Sequence, residues 1–194
     1  MTTQHGPADH TEHVDLLVIG WGKGGKTLAG TAARRGQRVA VLEQSAEMIT
    51  YVSLDDNRIV SEQLFGAGQR STADRVAVPQ VIFLTPPLAR VGLTETQARE
   101  QGYDVLVAAK QMADIAAAPR AKIEGEPRGI VKCVVDAGTD EVLGVVLMHV
   151  HSQEVINLVA LAMRHSIPAA ELRDAIYTHP SATEALNEVL GALA

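Results

Sequence analysis

The sequence predicts an α/β protein, a partial Rossmann-type βαβ unit followed by a larger α+β region with an antiparallel sheet. Three observations carry that prediction. The apolar run VDLLVIG, residues 14–20, ends in a glycine cluster, as a strand buried on both faces does before a tight turn. An alanine-rich helical stretch at 26–35 and a second apolar run at 38–44 complete a strand–helix–strand unit of about 30 residues. Much further on, DAGTDE, residues 136–141, separates two apolar runs with the composition of a hairpin turn.

The elements follow in order. Residues 1–13 hold three histidines and a proline and read as a disordered leader. Gly36 stops the first helix in the position of a left-handed cap. Residues 49–65 space Ile49, Val52, Ile59, Val60 and Leu64 in a mainly helical pattern, and the polar stretch 67–75 reads as a linker. Strands are expected at 81–85, 103–108, 129–136 and 142–150, with helices at about 94–101, 152–165, 169–176 and 181–192. Thr85-Pro86-Pro87 and the segment from Pro119 to Pro127 read as loops.

Composition narrows the function classes. The 194 residues carry a net charge of −6 with 46% hydrophobic and 21% charged residues, a globular balance. That charge offers no basic excess to neutralise phosphates, which argues against nucleic acid and anionic membranes as partners. No apolar run approaches the roughly 20 residues that span a bilayer, and the polar N-terminus lacks a signal-peptide core, so a cytoplasmic location is expected. The single cysteine, Cys133, rules out an intrachain disulfide framework.

The glycine loop fits two motifs. Gly20-Trp21-Gly22-Lys23-Gly24-Gly25 matches G-x-G-x-x-G, and Gly20 to Thr27 also matches the phosphate-cradling G-x-x-x-x-G-K-[ST]. In a dinucleotide fold, Gly20 makes the turn, Gly22 lets backbone approach a pyrophosphate, and Gly25 permits close packing over a helix N-terminus that faces the anion. That reading needs a ribose carboxylate at the end of the second strand, and Glu43 stands there. A P-loop needs instead a strand ending in a magnesium-binding aspartate, and Asp136 lies far away in the hairpin. The dinucleotide reading is therefore preferred, with FAD and NAD inseparable from the loop alone.

Three colinear stretches carry a family resemblance. GWGKGGKT with Glu43-Gln44-Ser45 resembles the FAD-binding start of flavoprotein pyridine nucleotide-disulfide oxidoreductases, nearest the mercuric-reductase-like branch that includes reactive-chlorine-resistance proteins. SLDDNRIVSEQLFG, residues 53–66, resembles the helix leading into that family's dimerisation domain. TPPLARVGLTETQARE, residues 85–100, resembles the opening of that domain; Gly129, Lys132 and Gly144 fit its hairpin, and THPSATE, residues 178–184, its His-Pro…Glu motif. The resemblance implies a partial FAD-binding unit over 14–48, a connecting helix and linker over 49–77, and a dimerisation domain over 78–194 that makes a homodimer. It implies Gly20, Gly22, Gly25 and Glu43 as cofactor residues. It also implies His179 as an acid–base group toward a partner's thiol, oriented by Glu184. Read locally, Pro180 and Ser181-x-x-Glu184 equally suit a helix start with a capping box.

The departure is as clear as the match. Glu43 to Met48 runs straight into Ile49-Thr50-Tyr51, where relatives carry a C-x-x-x-x-C pair, an NAD(P)H domain and a second FAD motif. The resemblance thus implies an internally deleted, FAD-dependent oxidoreductase relative with no NAD(P)H site, weak or lost FAD binding and little or no reductase activity. The competing expectation is a non-catalytic dimerisation module with a vestigial nucleotide loop. Cys133 reads as a small buried hydrophobe. His149 and His151 are expected to alternate onto one face of a strand end without a third metal ligand, so no metal site is expected.

Overall fold

The computed structural model describes residues 13–19, 23–42 and 50–193. It divides into two compact units, Met1–Asp74 and Arg75–Ala194.

In the first unit, β1 (Leu16–Ile19) and β2 (Val39–Leu42) pair in parallel, with Leu16 opposite Val39 and Ile19 opposite Leu42. The connection between them is α1 (Lys23–Arg34), as a βαβ unit requires. Asp15 fixes the register below the strands: its N–H donates to the Arg38 carbonyl at 2.8 Å, and the Arg38 N–H donates to its carboxylate at 2.7 Å. α1 ends as expected. Gly36 has φ +80°, its N–H donates to Ala33 O, and the Gln37 N–H reaches back to Ala32 O, the bond pattern of a Schellman cap.

α1 begins at Lys23, earlier than the expected Lys26, so Gly24 and Gly25 are helical despite their low propensity. Packing explains it at Gly24, where a Cβ would lie 1.8 Å from the Ser53 carbonyl oxygen of α2 (Thr50–Phe65). Only a glycine lets the two helices meet there. Val18, Leu28 and Ala29 form the buried centre, with Leu16, Val39, Val41, Val60 and Phe65 against it.

The second unit is built on a five-stranded antiparallel sheet in the order β3-β4-β7-β6-β5. Its strands are β3 (Gln80–Ile82), β4 (Leu88–Gly92), β5 (Val105–Gln111), β6 (Ile130–Asp136) and β7 (Val142–Met148). The expected hairpin joins β6 to β7. Asp136 closes it by accepting from the Thr139 hydroxyl at 2.7 Å, and Asp140 takes φ +59°. β4 was not among the expected strands. It is short and follows two prolines, yet it alternates: Ala89 and Val91 are buried, Arg90 and Gly92 exposed.

Helices cover both faces unequally. α5 (Ser152–Arg164) and α7 (Ala185–Leu190) pack on one face, where Val131, Cys133, Val135, Val145 and Leu147 meet Ile156, Val159 and Leu186. On the other face α3 (Glu95–Glu100) brings Ala98 to Val105, Val134 and Leu143. Thr94 and Gln97 close a complete capping box at its start. Lys132, on β6, donates to Glu95 at 2.7 Å, and with Arg99 it holds that carboxyl below the ordinary range. The segment expected as loop between Pro119 and Pro127 contains a short helix, α4 (Arg120–Ile123).

The two hairpin glycines have steric reasons. A Cβ on Gly129 (φ +127°) would sit 1.6 Å from Met148 O, and one on Gly144 would sit 1.9 Å from Leu93 O.

Candidate functional site

The second unit places His179 and Glu184 together through an irregular arm between two helices. α6 (Ala169–Asp174) has no glycine to end it, and two carbonyls of its last turn accept from side chains. The Tyr177 hydroxyl donates to Leu172 O at 2.8 Å. The Asn187 amide donates to Arg173 O at 2.6 Å and to Ala175 O at 3.0 Å. Beyond Ala175 the chain runs outward, leaving Ile176 fully exposed, and turns back at a cis His179–Pro180 bond.

Glu184 stands at the N-cap position of α7, and its carboxylate is spent on the arm. Oε1 is 2.9 Å from His179 Nδ1, and Oε2 accepts the Ser181 N–H at 2.8 Å. Partial burial works against its charge, but the Ser181 N–H and the His179 ring outweigh it and hold the carboxyl below its ordinary range. A carboxylate held deprotonated only accepts, so Nδ1 carries the hydrogen and Nε2 is left as the basic position. The histidine side chain is 66% exposed and the glutamate 13%. The arrangement can take up a proton at His179 Nε2 from an outside group and stabilise the resulting cation.

The local alternative for this motif is corrected. The helix begins at Ala185, not at 181, and residues 181–184 form a turn in which Ala185 and Leu186 donate three residues back. Pro180 therefore does not occupy the first helical position. Only half of a capping box exists, since Ser181 Oγ is buried without a partner.

Of the expected cofactor residues, Gly25 lies in the first turn of α1, while Gly20, Gly22 and Glu43 lie outside the described residues, as do residues 1–12 of the expected 1–13 leader. Among the described residues, nothing in β1, α1 or β2 opposes the adenosine-diphosphate end of a dinucleotide. β1 and β2 are parallel around α1, and its first turn holds no carboxylate to repel an anion.

His149 and His151 do not share a face. β7 ends at Met148, and the chain turns so that His151 adopts φ +66° at the head of α5. His149 is buried, with Nδ1 2.6 Å from Val150 O and Nε2 unpartnered; His151 lies 2.8 Å from Glu124 on an exposed surface. No group of three or more histidine, cysteine or acidic side chains among the described residues could hold a metal. Cys133 is buried in the core, and burial pushes its thiol up to about 12. No helix among the described residues is long and apolar enough to cross a membrane.

Sequence reasoning missed Asn187 and Tyr177. Their acceptors lie outside any capping signature, and nothing in the local pattern marks them.

Comparison with known proteins places these features in context. The profile of the pyridine nucleotide-disulphide oxidoreductase dimerisation domain matches residues 78–190. A probable pyridine nucleotide-disulfide oxidoreductase, RclA of Escherichia coli K12, is 42% identical over 205 residues, which cover 93% of this chain and 46% of that protein. A dihydrolipoyl dehydrogenase of Mycobacterium bovis is 36% identical over 140 residues, 72% of this chain and 30% of that one. Among solved structures, the HOCl-induced flavoprotein disulfide reductase RclA of Escherichia coli superposes with TM-score 0.72 at 44% identity, over 78% of this chain and 35% of its own. The chain therefore spans less than half the length of these relatives.

Proposed function

The chain belongs to the pyridine nucleotide-disulphide oxidoreductase family through the dimerisation domain matched over residues 78–190, and from that premise we propose that it is a homodimerising module carrying the acid–base half of disulfide chemistry without the thiol half. One contrast supports this reading. The proton-accepting group is on the surface, at His179 beside Glu184, whereas the single thiol, Cys133, is buried and pushed up to about 12. Disulfide exchange needs an accessible thiolate, and Cys133 supplies none.

His179 Nε2 is available to take a proton from a thiol presented by another chain, while Glu184 holds Nδ1–H and stabilises the imidazolium. Gly20, Gly22, Gly25 and Glu43 would hold the adenosine-diphosphate end of FAD, weakly or not at all. FAD, when bound, supplies electron transfer. The rest of the flavin needs contacts that a single βαβ unit does not offer. The fully exposed Ile176, three residues before His179 on the same arm, is offered as the apolar anchor for a second copy.

The test is a steady-state NAD(P)H-dependent disulfide reductase assay on the purified full chain with added FAD. Turnover at background is the expected result. Turnover that scales with FAD would favour the second reading, an FAD-dependent oxidoreductase, for which the parallel pairing of β1 and β2 around α1 speaks.

A further inference from the structure

We infer that Asn187 is the positioning residue of the His179–Glu184 dyad, an inference that rests on the acid–base reading of that dyad. α6 runs from Ala169 to Asp174 and ends at Ala175 with no glycine. A helix ending without a glycine leaves its last carbonyls needing donors. Here one carboxamide provides two: Nδ2 is 2.6 Å from Arg173 O and 3.0 Å from Ala175 O. The acceptors are the last turn of α6 and the first residue of the arm that carries His179. Arg173 and Ala175 have their direction set there, and Ala175 leaves in an extended conformation (φ −63°, ψ 148°).

Asn187 is three residues after Glu184, on the same short helix. The arm is thus held to α7 twice, at its root by the Asn187 amide and at its tip by the Glu184 carboxylate, which grips His179 Nδ1 and the Ser181 N–H. Tyr177, reaching back to Leu172 O, shortens the free path between the two grips. Between them Ile176 is fully exposed and Tyr177 packs against the core, so the Asn187 and Glu184 grips act on an arm otherwise restrained at Tyr177. Fixing both ends from one helix restricts where the imidazole can sit, and hence which nitrogen faces Glu184. A carboxamide suits this task because it has two donors; an aspartate there would turn oxygen lone pairs onto two carbonyl oxygens.

The consequence is a defined tautomer. With Nδ1–H directed at Glu184, the neutral His179 ring carries its hydrogen on Nδ1 and keeps Nε2 basic. Ring-nitrogen NMR on the full chain with labelled histidine reads this directly, the His179 signals being assigned by their loss in His179→Gln. The wild type is expected in the Nδ1–H form. Asn187→Asp is expected to lose that form. Glu188→Gln, which loosens the Lys110–Glu188 contact between α7 and β5, is expected to keep it even if the fold is less stable.

Retention of the Nδ1–H form in folded Asn187→Asp, or its loss in Glu188→Gln as well, would overturn the positioning role. Glu184→Leu separates the two levels: with no side-chain acceptor left for Nδ1–H, an unchanged tautomer there removes the dyad reading itself, whatever Asn187 does. If Asn187→Asp does not fold, the wild type decides. Scalar couplings across the hydrogen bonds from Asn187 Nδ2 to the Arg173 and Ala175 carbonyl carbons support the role, and their absence overturns it.

Discussion

Glu184 reaches His179 across a cis proline bond, with Oε1 2.9 Å from Nδ1, while its other oxygen accepts the Ser181 N–H. One carboxylate thereby orients the ring and braces the turn that presents it. The largely buried carboxylate accepts and the exposed imidazole donates its Nδ1–H, an arrangement in which a surface histidine gains a fixed orientation without losing access to outside groups.

Ile176 tests the surface of the arm that carries His179. Replacing Ile176 by Ser removes a fully exposed apolar side chain, so the fold should keep its stability to within about 0.5 kcal/mol. If the residue anchors a second copy, the dimer should weaken by about tenfold or more. Thermal unfolding and sedimentation equilibrium on the same variant separate these effects. An unchanged dimer constant would remove Ile176 from the interface.

Cys133 should behave as a core residue. With its thiol pushed up to about 12 in a fully buried site, it should resist alkylation in the native chain and react once the chain is unfolded. Cys133→Ser puts a hydroxyl into that apolar core and should cost about 1–3 kcal/mol in denaturant unfolding. Rapid native-state alkylation would contradict the packing described.

His149 gives a pH dependence of known sign. Burial lowers the ring below 6.5, and the Val150 carbonyl only partly offsets it. The unfolded chain therefore binds the proton first, so stability from this group is complete above about pH 6.5 and declines as pH falls toward the folded-state value. His149→Phe should flatten denaturation midpoints across that window. A variant as pH-sensitive as the wild type would assign the effect elsewhere.

Gly129 and Gly102 form a matched pair. Both have positive φ, but a Cβ on Gly129 would lie 1.6 Å from Met148 O, while one on Gly102 meets nothing within 4 Å. Gly102→Ala should cost about 1 kcal/mol of backbone strain. Gly129→Ala should cost about 3 kcal/mol or more, since the β6–β7 ladder must move. Equal losses in thermal unfolding would contradict the close approach.

Much of this architecture was legible in the residues, and the exceptions have physical causes. β1, α1 and β2 follow from two apolar runs and a glycine stop, and the β6–β7 hairpin from its turn chemistry. β4 escaped because five residues after two prolines give alternation too short to separate from a loop. The start of α7 was misplaced because Pro180 and Ser181 imitate a helix entry that the half-formed box does not make. His179 and Glu184 could be paired only through the resemblance of residues 178–184 to the His-Pro…Glu motif of the family, and the structure places them 2.9 Å apart. Asn187 could not be found, because its acceptors are 14 and 12 residues away and belong to another helix.

The central claim is a dimerising chain whose nucleotide loop no longer retains FAD at full occupancy. Light scattering with in-line absorbance in the protein and visible flavin bands, recorded on the purified full chain, reads mass and flavin content together. The account predicts a dimer with far less than one flavin per chain. A monomer, or a dimer with one flavin per chain, would contradict it.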